Sequence, residues 1–266
     1  MALAARCGVG GQTPSKETVM TSSVKNLARR LRAPFDLRFA RKRLGQLHRR
    51  QCKIEAAVEF ALHFGGRGFY KVRTTQVRSE ILTLSRRVAE VEPRTILEIG
   101  TAWGGTLLIW AQIASSEVFS CDLELKPFLR ELAPFMAPPG GCRVTLVEGD
   151  SHSSQFRDSL WSRFEGRKVD FLFIDGDHTE SGVEQDYRDY AGLVRPGGLI
   201  AFHDIAERQP VAGNQVGKFW SRLRGVVPVE EILEDAGQCG YGIGLVTVPE
   251  DGSLPSLRLD PAARGR

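Results

Sequence analysis

From residue 95 onward, the sequence alternates short apolar runs with stretches of helical periodicity, and this alternation limits the chain to few folds. Short strands separated by helices form a parallel sheet, because each helix returns the chain to the same end of the sheet. We predict strands at residues 95–99, 118–121, 143–147, 169–174 and 198–203. Two later runs, 229–233 and 241–248, are predicted to pair as a hairpin across a Gly-rich turn.

The flanking segments differ from this region in composition. Residues 1–21 are rich in Gly, Thr and Ser without periodicity, which predicts a disordered leader. We assign residues 22–73 to a basic helical extension and residues 74–250 to one α/β domain, whose first helix is predicted over 74–91. Residues 251–266 are predicted to be a flexible tail.

The basic extension holds most of the positive charge. Residues 22–53 carry eleven Lys and Arg against Asp36 alone, a net charge of +10, so the rest of the +4 chain sums to −6. Apolar residues recur there at rough helical spacing, which predicts one or two amphipathic helices. Such helices could pack on the domain or on a partner subunit, or could bind an anionic surface. The sequence leaves these alternatives open.

Composition and cysteine usage exclude several classes of protein. Apolar residues make up 42% and charged residues 26%, which is ordinary for a globular chain. The longest nearly apolar stretch, residues 107–114, is shorter than the ~20 residues that span a bilayer. Five widely spaced cysteines without a C-x-x-C pair indicate neither a disulfide framework nor a zinc knuckle. We therefore expect a soluble, non-secreted, cytoplasmic protein, with an amino-terminal transit peptide as the alternative.

A glycine-rich turn follows the first predicted strand. Glycines at a strand-to-helix turn let a ligand approach the backbone at the carboxyl edge of the sheet. Gly100, Ala102 and Gly105 form a degenerate dinucleotide motif, but Ala102 replaces the glycine that admits a pyrophosphate. Glu98 adds negative charge, which suits a cofactor with a cationic ammonium. A purely structural turn is the remaining alternative.

The next two strands also end in polar residues. Asp122 follows the second strand, where a carboxylate can bind the hydroxyls of a ribose or can cap a helix. Gly149, Asp150 and Ser151 follow the third strand, where they could contact an adenine edge or cap the next helix.

A cluster of acids and histidines is predicted at the fourth and fifth strand ends. Asp175 and His178 follow one strand, and His203 and Asp204 follow the other. Because both ends lie at the same edge, these groups should share one cleft, where they could hold a divalent cation or transfer a proton. Structural roles as caps or turn residues are the alternative.

Taken in order, these motifs resemble the class I S-adenosylmethionine-dependent methyltransferases, and within them the branch whose fourth strand ends in Asp-Gly-Asp-His. That branch is related to metal-dependent sugar and macrolide O-methyltransferases, catechol-type O-methyltransferases and the cephalosporin hydroxylase-like group. The resemblance covers about residues 74–248 and implies a Rossmann-like, seven-stranded, mainly parallel sheet with an antiparallel last strand. The motifs that carry it are Glu98-x-Gly100-x-x-x-Gly104-Gly105, Asp122, Gly149-Asp150-Ser151, Asp175-Gly176-Asp177-His178, Asp186, Arg195-Pro196-Gly197-Gly198 and Phe202-His203-Asp204.

The resemblance also implies roles for individual residues. Asp122 would bind the ribose of S-adenosylmethionine. In metal-dependent relatives, the residues that match Asp175, His203 and Asp204 bind Mg²⁺ or Mn²⁺, and the one that matches His178 acts as the base. His203 departs from the family, because several relatives have an acidic residue there. The methionine part would be held by Glu98, Gly100, Thr101, Ala102, Gly104 and Gly105, and the adenine side by Gly149, Asp150 and Ser151.

The predicted function is therefore transfer of a methyl group from S-adenosylmethionine to a hydroxyl of a small molecule, such as a sugar, polyketide or phenolic compound, with metal assistance. Asp175 and His178 are the predicted catalytic residues. Expected partners are the hydroxyl acceptor, an anionic surface that residues 22–53 contact, and a second copy of the chain. The alternatives are a nucleic-acid methyltransferase that uses the basic arm, a hydroxylase-like relative, and a cofactor-binding protein without turnover.

Overall fold

Within the residues that the structure describes, 16–50, 53–64 and 70–255, seven strands form one sheet. The structure is a computed structural model, and its side chains are described from residue 32 onward in these ranges. The strands are β1 (Thr95–Ile99), β2 (Glu117–Asp122), β3 (Arg143–Glu148), β4 (Val169–Ile174), β5 (Val194–His203), β6 (Glu230–Ile232) and β7 (Ile243–Thr247).

The strand order is β3-β2-β1-β4-β5-β7-β6, and β7 alone runs antiparallel to its neighbours β5 and β6. This is the predicted Rossmann-like sheet with its carboxy-terminal hairpin. The chain leaves β1 toward β2 on one side, and the later strand β4 pairs with β1 on the other. The strand order therefore reverses between β1 and β4, which is where open α/β sheets bind their ligands.

Helices cover both faces of the sheet. They are α1 (Lys16–Leu47), α2 (Lys53–His63), α3 (Arg78–Glu90), α4 (Gly105–Ile113), α5 (Pro127–Leu132), α6 (Ser154–Phe164), α7 (Glu180–Tyr190) and α8 (Val216–Leu223). Single 3₁₀ turns at Ala133–Phe135 and Ala191–Leu193 follow α5 and α7. None of the described helices combines the length and apolar character that crossing a bilayer requires.

Alternating side chains of the buried strands supply two separate core layers. On β4, Phe171 and Phe173 point to the face covered by α1 to α5, where Trp110 of α4 packs edge-on against both rings. Leu172 and Ile174 point to the opposite face, covered by α6 to α8. A parallel strand buried on both faces is apolar along its length, which is why the run could be identified in the sequence.

The first helix of the α/β domain begins later than predicted. The periodicity suggested a helix from residue 74, but α3 begins at Arg78. Arg73 forms a β-bridge with Gly104, and the amide of Thr74 donates to the carbonyl of Ala61. These backbone bonds hold the chain extended before the helix.

The basic extension packs on the domain through the second half of α1. Ala40, Leu44 and Leu47 are buried in the core layer, whereas Phe35 on the same helix is 76% exposed. The helix begins at Lys16, so residues 16–21 are helical rather than disordered as expected. Residues 1–15 of the predicted leader and 256–266 of the predicted tail lie outside the described residues.

Candidate functional site

A cavity of about 450 Å³ opens at the carboxyl ends of β1 to β4, at the point where the strand order reverses. Its size is in the usual range for small-molecule and cofactor sites. The predicted residues that line it are Gly100, Ala102, Asp122, Gly149, Asp150, Ser151, Asp175 and His178. Residues that motif reasoning did not assign to the site also line it: Ile99, Cys121, Leu123, His152, Gly176 and Asp177.

Gly100 allows the first and fourth strand ends to approach each other. Its φ is +98°, and a Cβ at this position would lie 2.0 Å from the carbonyl oxygen of Asp175. Any side chain there would force the two strand ends apart. The amide of Gly100 donates to the carbonyl of Cys121 at 2.8 Å, which fixes the turn at the cavity floor.

Asp122 binds two backbone amides at the end of β2. Its Oδ2 accepts a hydrogen bond from the amide of Ala102 at 2.7 Å, and its Oδ1 accepts one from the amide of Glu124 at 3.0 Å. It therefore closes the glycine turn, while its side chain lines the cavity. Each carboxylate oxygen can accept more than one hydrogen bond, so the carboxylate can still accept bonds from ribose hydroxyls.

The third strand end is anchored by a buried acid. The hydroxyl of Ser151 donates to Oδ1 of Asp186 at 2.8 Å, and Nε2 of His152 lies 3.3 Å from the same oxygen. Asp186 is fully buried, which raises the pKa of its carboxyl. The hydrogen bond to Asp186 raises the pKa of His152, whose ring lines the cavity.

Four residues predicted to contact the cofactor do not line the cavity. Glu98 is fully buried beneath the glycine turn, where its carboxylate accepts hydrogen bonds from Nε1 of Trp110 at 3.0 Å and from Ser120 at 2.5 Å. The hydroxyl of Thr101 bonds to Ser120 at 2.6 Å. Gly104 precedes α4 as its N-cap and Gly105 begins that helix, so both hold the turn in place.

The predicted acid and histidine cluster does assemble at the ends of β4 and β5. Nδ1 of His203 lies 3.1 Å from Oδ1 of Asp175 and 3.5 Å from Oδ1 of Asp204. His178 lies between the two acids, with Nε2 3.4 Å from Oδ1 of Asp175 and Nδ1 3.3 Å from Oδ2 of Asp204. These two distances are at the long end of hydrogen bonding, so the contacts of His178 with both acids are weak ones.

The cluster is electrostatically paired. Burial by itself would raise the pKa of Asp175, but the charge of His203 and hydrogen bonds from both histidines lower it to about 2. Burial would lower the pKa of His203, but the charges of Asp175 and Asp204 raise it to about 9. The hydrogen bond to Asp175 raises the pKa of His178. Near neutral pH, Asp175 is therefore an anion paired with a protonated His203.

Two side-chain amides also bind this cluster, and the sequence predicts neither of them. Nε2 of Gln76 donates to Oδ2 of Asp175 at 3.0 Å, and Nδ2 of Asn214 donates to Oδ2 of Asp204 at 2.6 Å. Gln76 precedes α3, 99 residues before Asp175, and Asn214 precedes α8, ten residues after Asp204. A single Gln or Asn in a loop gives no sequence signal of such a contact.

The donor types of this cluster bind divalent metals, but here the two acids are paired with histidines and amides. In the described part of the chain, no group of three or more His, Cys, Asp or Glu side chains is arranged to hold a metal ion. The contact of His203 with Asp175 is a hydrogen bond that a proton occupies, and the second oxygens of both acids accept from amides. The metal site predicted from Asp175, His203 and Asp204 stays a prediction.

Comparisons with known proteins agree with the fold. Residues 97–205 match a family described as a methyltransferase domain. The O-methyltransferase TomG from Streptomyces achromogenes, involved in tomaymycin synthesis and solved with SAM, is 18% identical with a TM-score of 0.52. The match covers 76% of this chain and 91% of TomG.

Two further proteins are similar to parts of this chain. Cofactor-bound Rv0187 from MTB is 18% identical over 74% of this chain and 88% of its own, with a TM-score of 0.51. The uncharacterized protein y4gI of Sinorhizobium fredii is 22% identical over 166 residues, which is 53% of this chain. The matched part spans 16% of the length of y4gI. The likeness to the solved structures is one of fold.

Proposed function

We propose that this chain, whose residues 97–205 match a methyltransferase domain, transfers the methyl group of S-adenosylmethionine to a hydroxyl of a small molecule, with His178 as the base. The observation that supports this is one of position. His178 lines the same cavity as Asp122, Asp150 and Ser151, the residues expected to hold the ribose and adenine. A base and a cofactor pocket therefore share one opening.

The reaction is a displacement at carbon. When bound, S-adenosylmethionine supplies a methyl group activated by a sulfonium. A bond forms from the acceptor oxygen to this carbon, the carbon–sulfur bond breaks, and its electron pair stays on sulfur. The enzyme must align the three atoms and remove the hydroxyl proton.

In the proposed reaction, His178 receives that proton. Its side chain is 41% exposed, so an acceptor can reach it, whereas His203 is 5% exposed. Asp175 and Asp204 stabilise the imidazolium that forms, because each has an oxygen within 3.4 Å of the ring. His203 is a positioning residue on this proposal, since it compensates the charge of Asp175 from the buried side.

The test is product profiling with labelled cofactor and a panel of sugars, polyketides and phenols. His178→Ala should lower turnover by about 10²-fold or more, the usual scale for a general base, with cofactor affinity nearly unchanged. His63→Ala is the matched control, because His63 is exposed on α2 and outside the cavity. Full activity of His178→Ala would exclude the proposed base, and absence of labelled product with every class would exclude the proposed acceptors.

The proposed reaction also includes a divalent metal, which Asp175, His203 and Asp204 would hold. Oδ1 of Asp175 and of Asp204 both lie within 3.5 Å of Nδ1 of His203, so loss of the His203 proton would leave three donor atoms close together. Dialysis against a chelator followed by addition of Mg²⁺ or Mn²⁺ tests it. Loss of turnover on chelation and its recovery with metal would support the predicted metal. Unchanged turnover would exclude metal assistance and would leave His178 as the proposed base.

A further inference from the structure

A second cavity lies far from the sheet edge, between the end of α1 and the length of α2. Its volume is about 260 Å³. Arg43, Leu47 and Arg50 face it from the α1 side, at spacings of four and three residues. Phe60 and His63 face it from α2. None of these residues lies in the methyltransferase match, so the cavity is separate from the proposed reaction.

The lining of this cavity is more basic than acidic. Glu59 is its acidic residue, and that carboxylate already contacts Arg78 and lies 3.7 Å from Nε2 of His63. Neither Arg43 nor Arg50 forms an ion pair with any residue that the structure describes. Among the described residues, no acid therefore compensates the charge of either guanidinium that lines the cavity.

Arg43 carries the sharper observation. Its guanidinium lies over the ring of Phe60, 5.3 Å from the ring centroid. Its Nε is buried and has no hydrogen-bond partner within the described ranges. A buried donor without an acceptor costs about 1–3 kcal/mol. Because Arg43 also lines the cavity, an anionic ligand bound there would give its guanidinium a charged partner.

We propose that this cavity binds a phosphate group carried on an apolar chain, as in the headgroup region of an anionic lipid. A guanidinium fork binds two phosphate oxygens at once, and Arg50 supplies a second positive charge beside it. Leu47, which is 2% exposed, and Phe60 form an apolar wall next to these groups.

The rest of α1 supports a lipid as the source of the phosphate. The helix exposes Phe35 together with Arg38 and Lys42 on its solvent side. Basic residues next to an exposed aromatic ring bind the interface of anionic membranes. The cavity would add a specific headgroup contact to this general attraction.

The test compares two variants of the full chain that each remove one arginine charge. Arg43→Gln removes the donor in the cavity, and Arg49→Gln removes an exposed neighbour that does not line it. Binding is measured by sedimentation with phosphatidylcholine vesicles, with and without phosphatidic acid, and by calorimetry with inorganic phosphate. We expect Arg43→Gln to weaken binding to phosphatidic acid vesicles at least about tenfold, and Arg49→Gln by less than about twofold.

Each other result has a defined meaning. Inorganic phosphate that binds with the same dependence on Arg43 supports the phosphate site and assigns it to a soluble phosphate ester. Equal losses for the two variants, or no binding of either probe, overturn the site. A single-stranded oligonucleotide that binds more tightly than the vesicles, with equal losses for both variants, assigns the charge of α1 to nucleic acid and also overturns it. If Arg43→Gln does not fold, Arg50→Gln replaces it.

Discussion

Two acids on adjacent strands of this sheet have carboxyl pKa values that are shifted in opposite directions. Glu98 lies inside β1, and Asp175 follows β4, its direct neighbour. Burial raises the pKa of Glu98 to about 7, since its hydrogen-bond partners, Ser120 and Trp110 among them, are neutral. Asp175 is only partly buried, with 17% of its side chain exposed, and the imidazoles of His203 and His178 lower its pKa to about 2. The charge of the partner, rather than burial, decides which acid is an anion.

The difference matches the positions of the two acids. Glu98 bonds to Ser120, whose hydroxyl bonds to Thr101, so this chain of polar groups supports the glycine turn from below. Asp175 lines the cavity with an ionised oxygen between two histidines. A carboxyl with a raised pKa suits a structural role under the turn, whereas a paired anion suits proton transfer.

The largest effect should come from breaking the charged pair. Asp175→Asn leaves the buried His203 without its compensating charge, and we expect a loss of about 3–5 kcal/mol in the free energy of unfolding at pH 7. Urea unfolding measures it. Asp158→Asn is the control, because this exposed acid should change stability by no more than about 0.5 kcal/mol. A loss below about 1 kcal/mol for Asp175→Asn would contradict this prediction, because it would show that the pair of Asp175 with His203 does not stabilise the fold.

The neutral acid should respond in the opposite direction. The pKa of Glu98 is raised in the folded state, so its ionisation destabilises the fold progressively from about pH 4.5 to about pH 7 and fully above that. Glu98→Gln should therefore stabilise the protein at pH 8 by up to about 3 kcal/mol and change little at pH 4. Unfolding at the two pH values provides an internal control. A variant that is destabilised equally at both pH values would contradict this prediction, because it would show that the hydrogen bonds of Glu98 matter more than its ionisation.

The pH dependence of the free energy of unfolding distinguishes Glu98 from Asp175. Because the folded-state pKa of Asp175 is lowered, its contribution is present above pH 3.8 and is lost as the pH falls toward 2. Wild-type stability should therefore rise as the pH is lowered from 8 to about 4.5, where Glu98 takes up its proton, and fall again below pH 3.8. A stability that falls steadily from pH 8 to 4 would contradict this assignment.

A third acid at the same edge of the sheet, Asp122, should give the smallest effect. Both of its carboxylate oxygens accept from backbone amides, whereas Glu98 and Asp175 are bound by neutral and by charged side chains, respectively. Asp122→Ala should weaken S-adenosylmethionine binding by about 1–3 kcal/mol if the carboxylate also accepts ribose hydroxyls. Calorimetry with the cofactor measures it, with Glu124→Gln as a neighbouring control. Unchanged affinity would leave Asp122 as a cap of the glycine turn.

The sequence predicted the sheet well because its signals are local. Each predicted strand appears in the structure, since buried parallel strands need apolar runs and the turns between them need glycine. The ends differ by a few residues: β5 begins at Val194 rather than at residue 198, and α3 begins at Arg78 rather than at residue 74. These ends depend on backbone bonds to distant segments, such as that of Thr74 to Ala61, which no local pattern records.

Motif order and spacing by themselves determined the fold class, the edge of the sheet that carries the site, and the proximity of Asp175, His178, His203 and Asp204. These follow from sequence because strand ends in a parallel sheet share one edge. The tertiary structure alone decided that Glu98 lies under the turn, outside the cavity. It also supplied Gln76 and Asn214 and packed the second half of α1 on the domain. Those outcomes depend on which groups meet across many intervening residues, and the charge of a buried acid depends on the partner it meets there.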